Sequence, residues 1–217
     1  MINRPMARLI ADVLYGLGRR VYRVEVEGLE HLPRHGPAIL ATDEISMIGS
    51  LFIGVLIHRL VLHGKMDLPM GLAFEDIWMY SIMRGVYEIS GSAALRPGKG
   101  QPVSVLLQAL RHLQAGGLVM INPAGEVSFD GTFVPPQRGA AWMALRSAAP
   151  VVPVVATRAA FDIWPLWAEL PSLRGRFGIR IGEPLWLASA PQRMVDDEMV
   201  QAANARLGAA MQALIAA

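Results

Sequence analysis

Three carboxylates, Asp43, Glu44 and Glu126, stand where apolar runs of this chain stop. Asp43 and Glu44 interrupt "PAILATDEISMIGSLFI" (37–53), at the point where a buried strand should hand over to a helix. Glu126 stands in "NPAGEVSFDG" (122–131), directly after the apolar "GLVMI". A carboxylate in an apolar setting, with a second carboxylate beside it, is pushed toward its neutral form. That is the condition for general acid/base work near neutral pH. The same three acids form a hard-oxygen donor set for Mg²⁺, Ca²⁺ or Mn²⁺. A third reading is structural. Acids and serines are favoured at helix starts, so Asp43, Glu44 or Ser46 can cap the helix that follows, and Glu126 can be a solvated turn acid.

Other polar groups carry weaker signals. Ser46 lacks the Gly-x-Ser-x-Gly surroundings of a nucleophile elbow. His58 and His63 are five residues apart on an apolar helix, which is not the i, i+4 spacing of a metal pair. "SGSAALRPGKG" is glycine-rich but lacks the order of a phosphate loop. Arg96, Lys99 and Arg138 are the cations that could offset the acids.

These residues need elements to position them. Pro5–Leu17 reads as a helix, with Met6, Leu9, Ile10, Val13, Leu14 and Leu17 at helical spacing and arginines at both ends. Such a helix either lies on an anionic membrane surface or packs on the domain edge. "RVYRVEVEG" and "PAILAT" read as strands, and Ser46–His63 as a helix. "LPMGLAF" reads as a strand, "IWMYSIMR" as a short helix and "GVYEIS" as a strand. "SGSAALRPGKGQP" reads as a loop, followed by a helix, Val103–Gln114, closed by Gly116 and Gly117. "GLVMINP" is a buried strand, 124–139 a long turn-rich segment, and Gly139–Ala148 a helix. "PVVPVVATR" and "RFGIRIGEPLWL" are strands. Pro191–Ala217 is a closing helix with an acidic start. Strands alternating with helices give an α/β fold, with a mostly parallel or mixed central sheet flanked by helices. The expected organisation is one domain, 1–217, with an N-terminal amphipathic helix over 1–20 and a C-terminal helix over 191–217. In such sheets ligands gather where strands end. Three polar clusters, "TDEIS", "SGSAALRPGKG" and "NPAGEVSFDG", sit at those ends.

Composition narrows the function. The chain has 217 residues, 53% of them hydrophobic and 18% charged. That is more apolar and less charged than the usual roughly 45–50% and about 25%. Part of the surface should therefore be apolar and meet a lipid, a membrane or a protein. A net charge of +2, with no basic run interleaved with aromatics, argues against nucleic acid. With no cysteine, disulfides and thiolate chemistry are excluded. No signal-peptide pattern opens the chain, and no apolar run reaches the roughly 20 residues of a spanning helix. The expectation is a cytoplasmic protein, peripheral at most on the inner membrane face. Oligomeric state is not encoded legibly.

The three clusters, in their order, resemble the glycerolipid acyltransferase superfamily, lysophosphatidate acyltransferase type. That family carries Asn-His-x-Ser-x-x-Asp after an apolar strand, then Gly-x-x-Phe-x-x-Arg, then Phe-Pro-Glu-Gly-Thr-Arg-Ser, then a Val-Pro-rich strand. Here "DEISMIG" matches the first block, with Asp43 at the Asn place, Glu44 at the His, Ser46 at the Ser and Gly49 at the Asp. "GVYEISG" matches the second, keeping Gly85 and placing Gly91 at the Arg. "NPAGEVS" matches the third, keeping Pro123, Gly125 and Ser128. Ala124, Glu126 and Val127 replace its Glu, Thr and Arg. "FVPPQRGAAWMAL", with Arg138, and "APVVPVVATR" complete a correspondence running from Val24 to Leu187.

The resemblance implies the family's fold and, by default, acyl transfer from acyl-CoA or an acyl-carrier protein. It also marks Ser46, Gly49, Gly85, Gly91, Pro123, Gly125, Ser128 and Arg138 as substrate-binding positions. The catalytic positions differ: Glu44 stands for the base, Asp43 beside it, and Gly49 cannot orient either. Both phosphate-binding arginines become Gly91 and Val127. Two like charges about 4 Å apart cost roughly 4 kcal/mol even at an effective dielectric near 20. Three acids therefore disfavour a phosphorylated acceptor. The expectation is an enzyme acting on a hydrophobic, non-phosphorylated small molecule or lipid, with Glu44 as acid/base. No cofactor is required by sequence, and a divalent metal fits the acids. Two alternatives stay open: a catalytically silent member that binds lipid or a partner, and a lysophospholipid acyltransferase whose base, His31 or His35, lies outside the family motif.

Overall fold

A computed structural model of the chain describes residues 4–22, 24–43, 47–74, 93–95, 102–125, 132–157 and 178–217. Its elements, in order, are α1 (Arg4–Tyr22), β1 (Glu25–Glu27), β2 (Ala38–Asp43), α2 (Met47–Leu62), β3 (Met70–Phe74) and β4 (Ala93–Leu95). Then come α3 (Pro102–Gln114), β5 (Leu118–Ile121), α4 (Arg138–Ser147), β6 (Val151–Thr157), β7 (Gly178–Ile181) and α5 (Asp197–Ala216). The strands form one sheet in the order β1-β7-β6-β2-β5-β3-β4. β6, β2, β5, β3 and β4 run parallel to one another, and β7 is antiparallel to β6, with β1 parallel to β7.

The central strands are apolar on both faces because both are covered. Along β2, Ile39 and Ala41 face α3, α4 and α5, packing with Leu113, Met143, Ala144 and Leu207. Ala38 and Leu40 face α2 and pack with Ile53, Leu56, Ile57 and Leu60. The covering helices divide this way because crossovers between parallel strands are right-handed. The connection from β2 to β3 steps over β5 in one direction, while that from β5 to β6 steps over β2 in the other. Equal handedness puts α2 and α4 on opposite faces. The reversal between β2 and β5 is a topological switch point, and ligands collect at the carboxyl ends of the strands that flank one.

Several boundaries differ from the sequence pattern. α1 continues to Tyr22 and takes the start of the expected strand 20–28. Its last turn carries Arg19 and Arg20, which suit a helix C-terminus, and only Glu25–Glu27 finds a partner, β7. β4 lies inside the expected loop 90–102, where three small or apolar residues pair with the edge of β3. The closing helix starts at Asp197 rather than Pro191. Asp196 is extended and caps it, its carboxylate accepting from the Met199 amide at 2.8 Å. The expected helix 77–84 and strand 85–90 lie outside the described residues.

α1 lies on α2. Ala11 is buried and Asp12 and Tyr15 are half-buried, while Leu9, Val13, Leu14 and Leu17 are exposed. Polar contacts among the described residues join the two helices. Arg59 of α2 donates to Asp12 at 2.6 Å and stacks 4.8 Å from the Tyr15 ring centroid. His63 reaches Asp12 at 3.0 Å, and Arg8 donates to the Leu62 carbonyl at 2.6 Å.

Candidate active site

β2 and β5 bring two of the sequence clusters to the same edge of the sheet. Ala41 is level with Ile121 on β5, and β2 then runs on beside β6 until Asp43 is level with Val155. Asp43 therefore stands at the height of the Asn122–Pro123 turn on one side and of β6 on the other. Strand alternation puts its side chain on the α4 face, with Ile39 and Ala41. Thr42, on the α2 face, donates weakly to the Ile121 carbonyl at 3.4 Å and so bridges the two strand ends.

The Asn122–Gly125 turn is built from its own polar groups. The Asn122 side-chain oxygen accepts from the Ala124 amide at 2.9 Å, and its carbonyl accepts from the Gly125 amide at 3.2 Å. Such side-chain turns are what Asn provides at a strand end. Gly125 has φ +73°, a left-handed conformation that suits glycine. The Pro123 carbonyl accepts from the Gln137 amide at 2.7 Å, which ties the turn to the start of α4. Asn122 was absent from the sequence-derived site. Its signal was there in the Asn-Pro dipeptide after a buried strand, a turn marker.

Asp43 is 5% exposed, and its Oδ2 has no hydrogen-bond partner. Burial pushes its carboxyl up from 3.8 to about 6. A carboxylate in that state exchanges its proton near physiological pH and can act as acid, base or counter-ion.

The other sequence-derived positions fall as follows. Gly49 is in the first turn of α2. Pro123 is buried and Gly125 half-buried in the turn just described. Arg138 begins α4, more than half exposed, ion-paired with Asp197 at the start of α5. Glu44, Ser46, Gly85, Gly91, Glu126 and Ser128 lie outside the described residues, as do Arg96 and Lys99. Of the suggested metal ligands, only Asp43 is described, and no group of three acids, histidines or cysteines gathers among the described residues.

His31, His35 and His63 are engaged elsewhere. His31 Nδ1 bonds the Ile181 carbonyl at 2.8 Å on β7, which β6 separates from β2. His35 Nδ1 pairs with Asp67 at 2.9 Å, before β3. Both imidazoles thus have partners away from the end of β2. His58 is half-buried, and burial lowers its pKa. His63 belongs to the α1–α2 contact.

Comparison with known proteins adds sequence and fold. A family model described as Acyltransferase matches residues 23–157. Over 159 residues the chain is 28% identical to 1-acyl-sn-glycerol-3-phosphate acyltransferase alpha of Mus musculus. That match covers 70% of this chain and 51% of the mouse protein, so the chain spans about half the length of that relative. The crystal structure of the 1-acyl-sn-glycerophosphate (LPA) acyltransferase PlsC from Thermotoga maritima matches with a TM-score of 0.59. The match covers 100% of this chain and 85% of that one at 20% identity, a likeness of fold. Among the described residues no helix is long and apolar enough to cross a membrane.

Proposed function

The chain belongs to the acyltransferase family, and on that premise we propose that it transfers an acyl chain to a hydrophobic acceptor lacking phosphate. The donor is an acyl thioester of coenzyme A or of an acyl-carrier protein. Glu44 is the acid/base, and Asp43 is the buried carboxylate beside it. The acceptor hydroxyl oxygen attacks the thioester carbonyl carbon as Glu44 takes the hydroxyl proton. The tetrahedral oxyanion then collapses, the carbon–sulfur bond breaks, and the departing thiolate takes the proton from Glu44. The products are an ester and a free thiol. A bound divalent metal would supply charge neutralisation at the same acids, and Asp43 is the described residue that could contribute to holding it.

The observation that carries this reading is the state of Asp43. An unpartnered carboxylate buried at the carboxyl end of a switch-point strand has no structural task in the sheet, and its proton affinity suits acid/base chemistry. The two positions where the family's motif carries phosphate-binding arginines are Gly91 and Val127 here, which supports an acceptor without phosphate.

The test is turnover of long-chain acyl-CoA against a panel of phosphorylated and unphosphorylated single-chain acceptors. Glu44→Gln should lower kcat by about 10² or more, the usual contribution of a positioned base. Unchanged turnover in Glu44→Gln removes Glu44 from the mechanism. Acyl-chain binding with no product from any acceptor would instead identify a silent, lipid-binding member.

We also propose that α1 docks the protein on an anionic membrane surface. Its exposed Leu9, Val13, Leu14 and Leu17 and the arginines Arg8, Arg19 and Arg20 combine apolar area with positive charge. Asp12, its acid, is already paired with Arg59 and His63.

A further inference from the structure

We propose that Asp43 is the counter-ion for a cationic group on the acceptor, an ammonium carried beside the reacting hydroxyl, and that it sets which headgroups the site admits. This deepens the reading of the strand-end site as an acyl-acceptor site and rests on it.

Asp43 is sealed from solvent, and Oδ2 has no hydrogen-bond partner. Buried charges are normally paired or neutralised, so an orphaned carboxylate at a binding edge calls for a ligand that supplies its partner. Among the described residues, the elements that flank it do not supply one. β5 (Leu118–Ile121) and β6 (Val151–Thr157), which flank β2, carry no titratable side chain. On α2 the titratable groups are His58 and Arg59, about three turns beyond Met47. On α4, Arg138 is held by Asp197, and Arg146 at the far end donates to the Gln192 and Arg193 carbonyls. In sequence the next residue is a second acid, Glu44. An ionised, unpartnered Asp43 repels a phosphate, is indifferent to a neutral alcohol and attracts an ammonium.

Proton linkage makes the idea measurable. Burial holds the Asp43 proton until about pH 6. A cation binding the ionised form must expel that proton below this pH, so its affinity should rise by up to tenfold per pH unit and level off above.

The experiment is calorimetric binding of decylammonium, decanol and decyl phosphate to the full chain, each below its micelle-forming concentration, near pH 5 and near pH 8. Near pH 8, decylammonium should bind at least tenfold more tightly than decanol, with decyl phosphate weakest. Near pH 5 that preference should shrink, and binding should release about one proton, read from the dependence of the heat on buffer ionisation enthalpy. Asp43→Asn should abolish both the preference and the proton release while keeping decanol binding. Adsorption to the arginines of α1 would give the opposite order, with decyl phosphate tightest.

Three results would overturn the proposal: decyl phosphate binding best, with or without Mg²⁺; a preference for ammonium that survives Asp43→Asn; or wild-type binding without proton release near pH 5. The acyl-transfer reading is judged separately. Ammonium selection through Asp43 without turnover would leave this inference standing and sink that reading. Equal turnover of amine-free acceptors would do the reverse.

Discussion

Arg138, the first residue of α4, is ion-paired with Asp197, the first residue of α5, although 59 positions separate them in the chain. Both side chains are mostly solvent-exposed. The pair thus fastens two helix starts together on the surface and occupies the cation that the motif correspondence offers to a substrate.

Exposed ion pairs contribute little, because solvent screens them and two long side chains must be ordered. A double-mutant cycle on Arg138→Ala and Asp197→Ala, read by urea unfolding, should give a coupling below about 1 kcal/mol. Arg138→Ala should also leave the acceptor KM within about twofold, since removing a binding contact of even 1.4 kcal/mol would shift it tenfold. A large rise in KM would return Arg138 to the substrate.

Asp43 should make stability depend on pH in an unusual direction. Its proton is held more tightly in the folded chain than in the unfolded one, so stability is greatest below pH 3.8 and declines as pH rises through about 6. At neutral pH the ionised, buried carboxylate costs about 3 kcal/mol. Asp43→Asn should therefore raise stability near pH 7 by about 1–3 kcal/mol, allowing for an amide that still lacks partners. Near pH 4 the gain should shrink toward zero. Matched denaturant curves at the two pH values decide it. A loss of stability at neutral pH would mean that Asp43 is paired.

Asp12 behaves in the opposite sense. The hydrogen bond from Arg59, aided by His63 and opposed by partial desolvation, holds its carboxyl below the ordinary 3.8. Its contribution is present above that pH and fades as acid protonates it. Asp12→Asn should release α1 from α2 without unfolding the sheet. The check is limited trypsin digestion, with cleavage after Arg8, Arg19 or Arg20 several-fold faster than in the wild type. Unchanged cleavage would show that Ala11 and Tyr15 suffice to hold the helix.

For the membrane surface, Leu14→Glu with Leu17→Glu removes two exposed leucines, each worth about 1.5–3 kcal/mol if fully buried in lipid. Cosedimentation with phosphatidylglycerol vesicles should fall at least about tenfold, since even half of that burial exceeds 1.4 kcal/mol. Raising ionic strength should weaken binding further, because the arginines act within a Debye length of the surface. Binding that ignores both changes would move the contact away from α1.

The central strands were legible because their signal is local. The apolar run ending in Thr42–Asp43 gives β2 and its polar terminus, and "GLVMI" gives β5 and its turn. What escaped was long-range. A leucine stripe cannot say which side of its helix is covered, and the inner side of α1 is set by Arg59 and His63, 47 and 51 residues from Asp12. β4 escaped because three residues beside glycine and proline carry no periodicity. The commitment of Arg138 was invisible until α5 was placed. Asp43 was picked out by type and position, but its buried, unpartnered state depends on how strands distant in sequence assemble beside it.

The outward apolar residues of α1 have a practical corollary. The helix holds its arginine–aspartate clamp against α2 and turns Leu9, Leu14 and Leu17 outward, an arrangement that gains nothing from bulk water. In a concentrated aqueous preparation, Leu9, Val13, Leu14 and Leu17 therefore form, among the described residues, an apolar surface through which copies can stick to one another. A detergent, or a small lipid disc, that covers these residues should keep the copies apart.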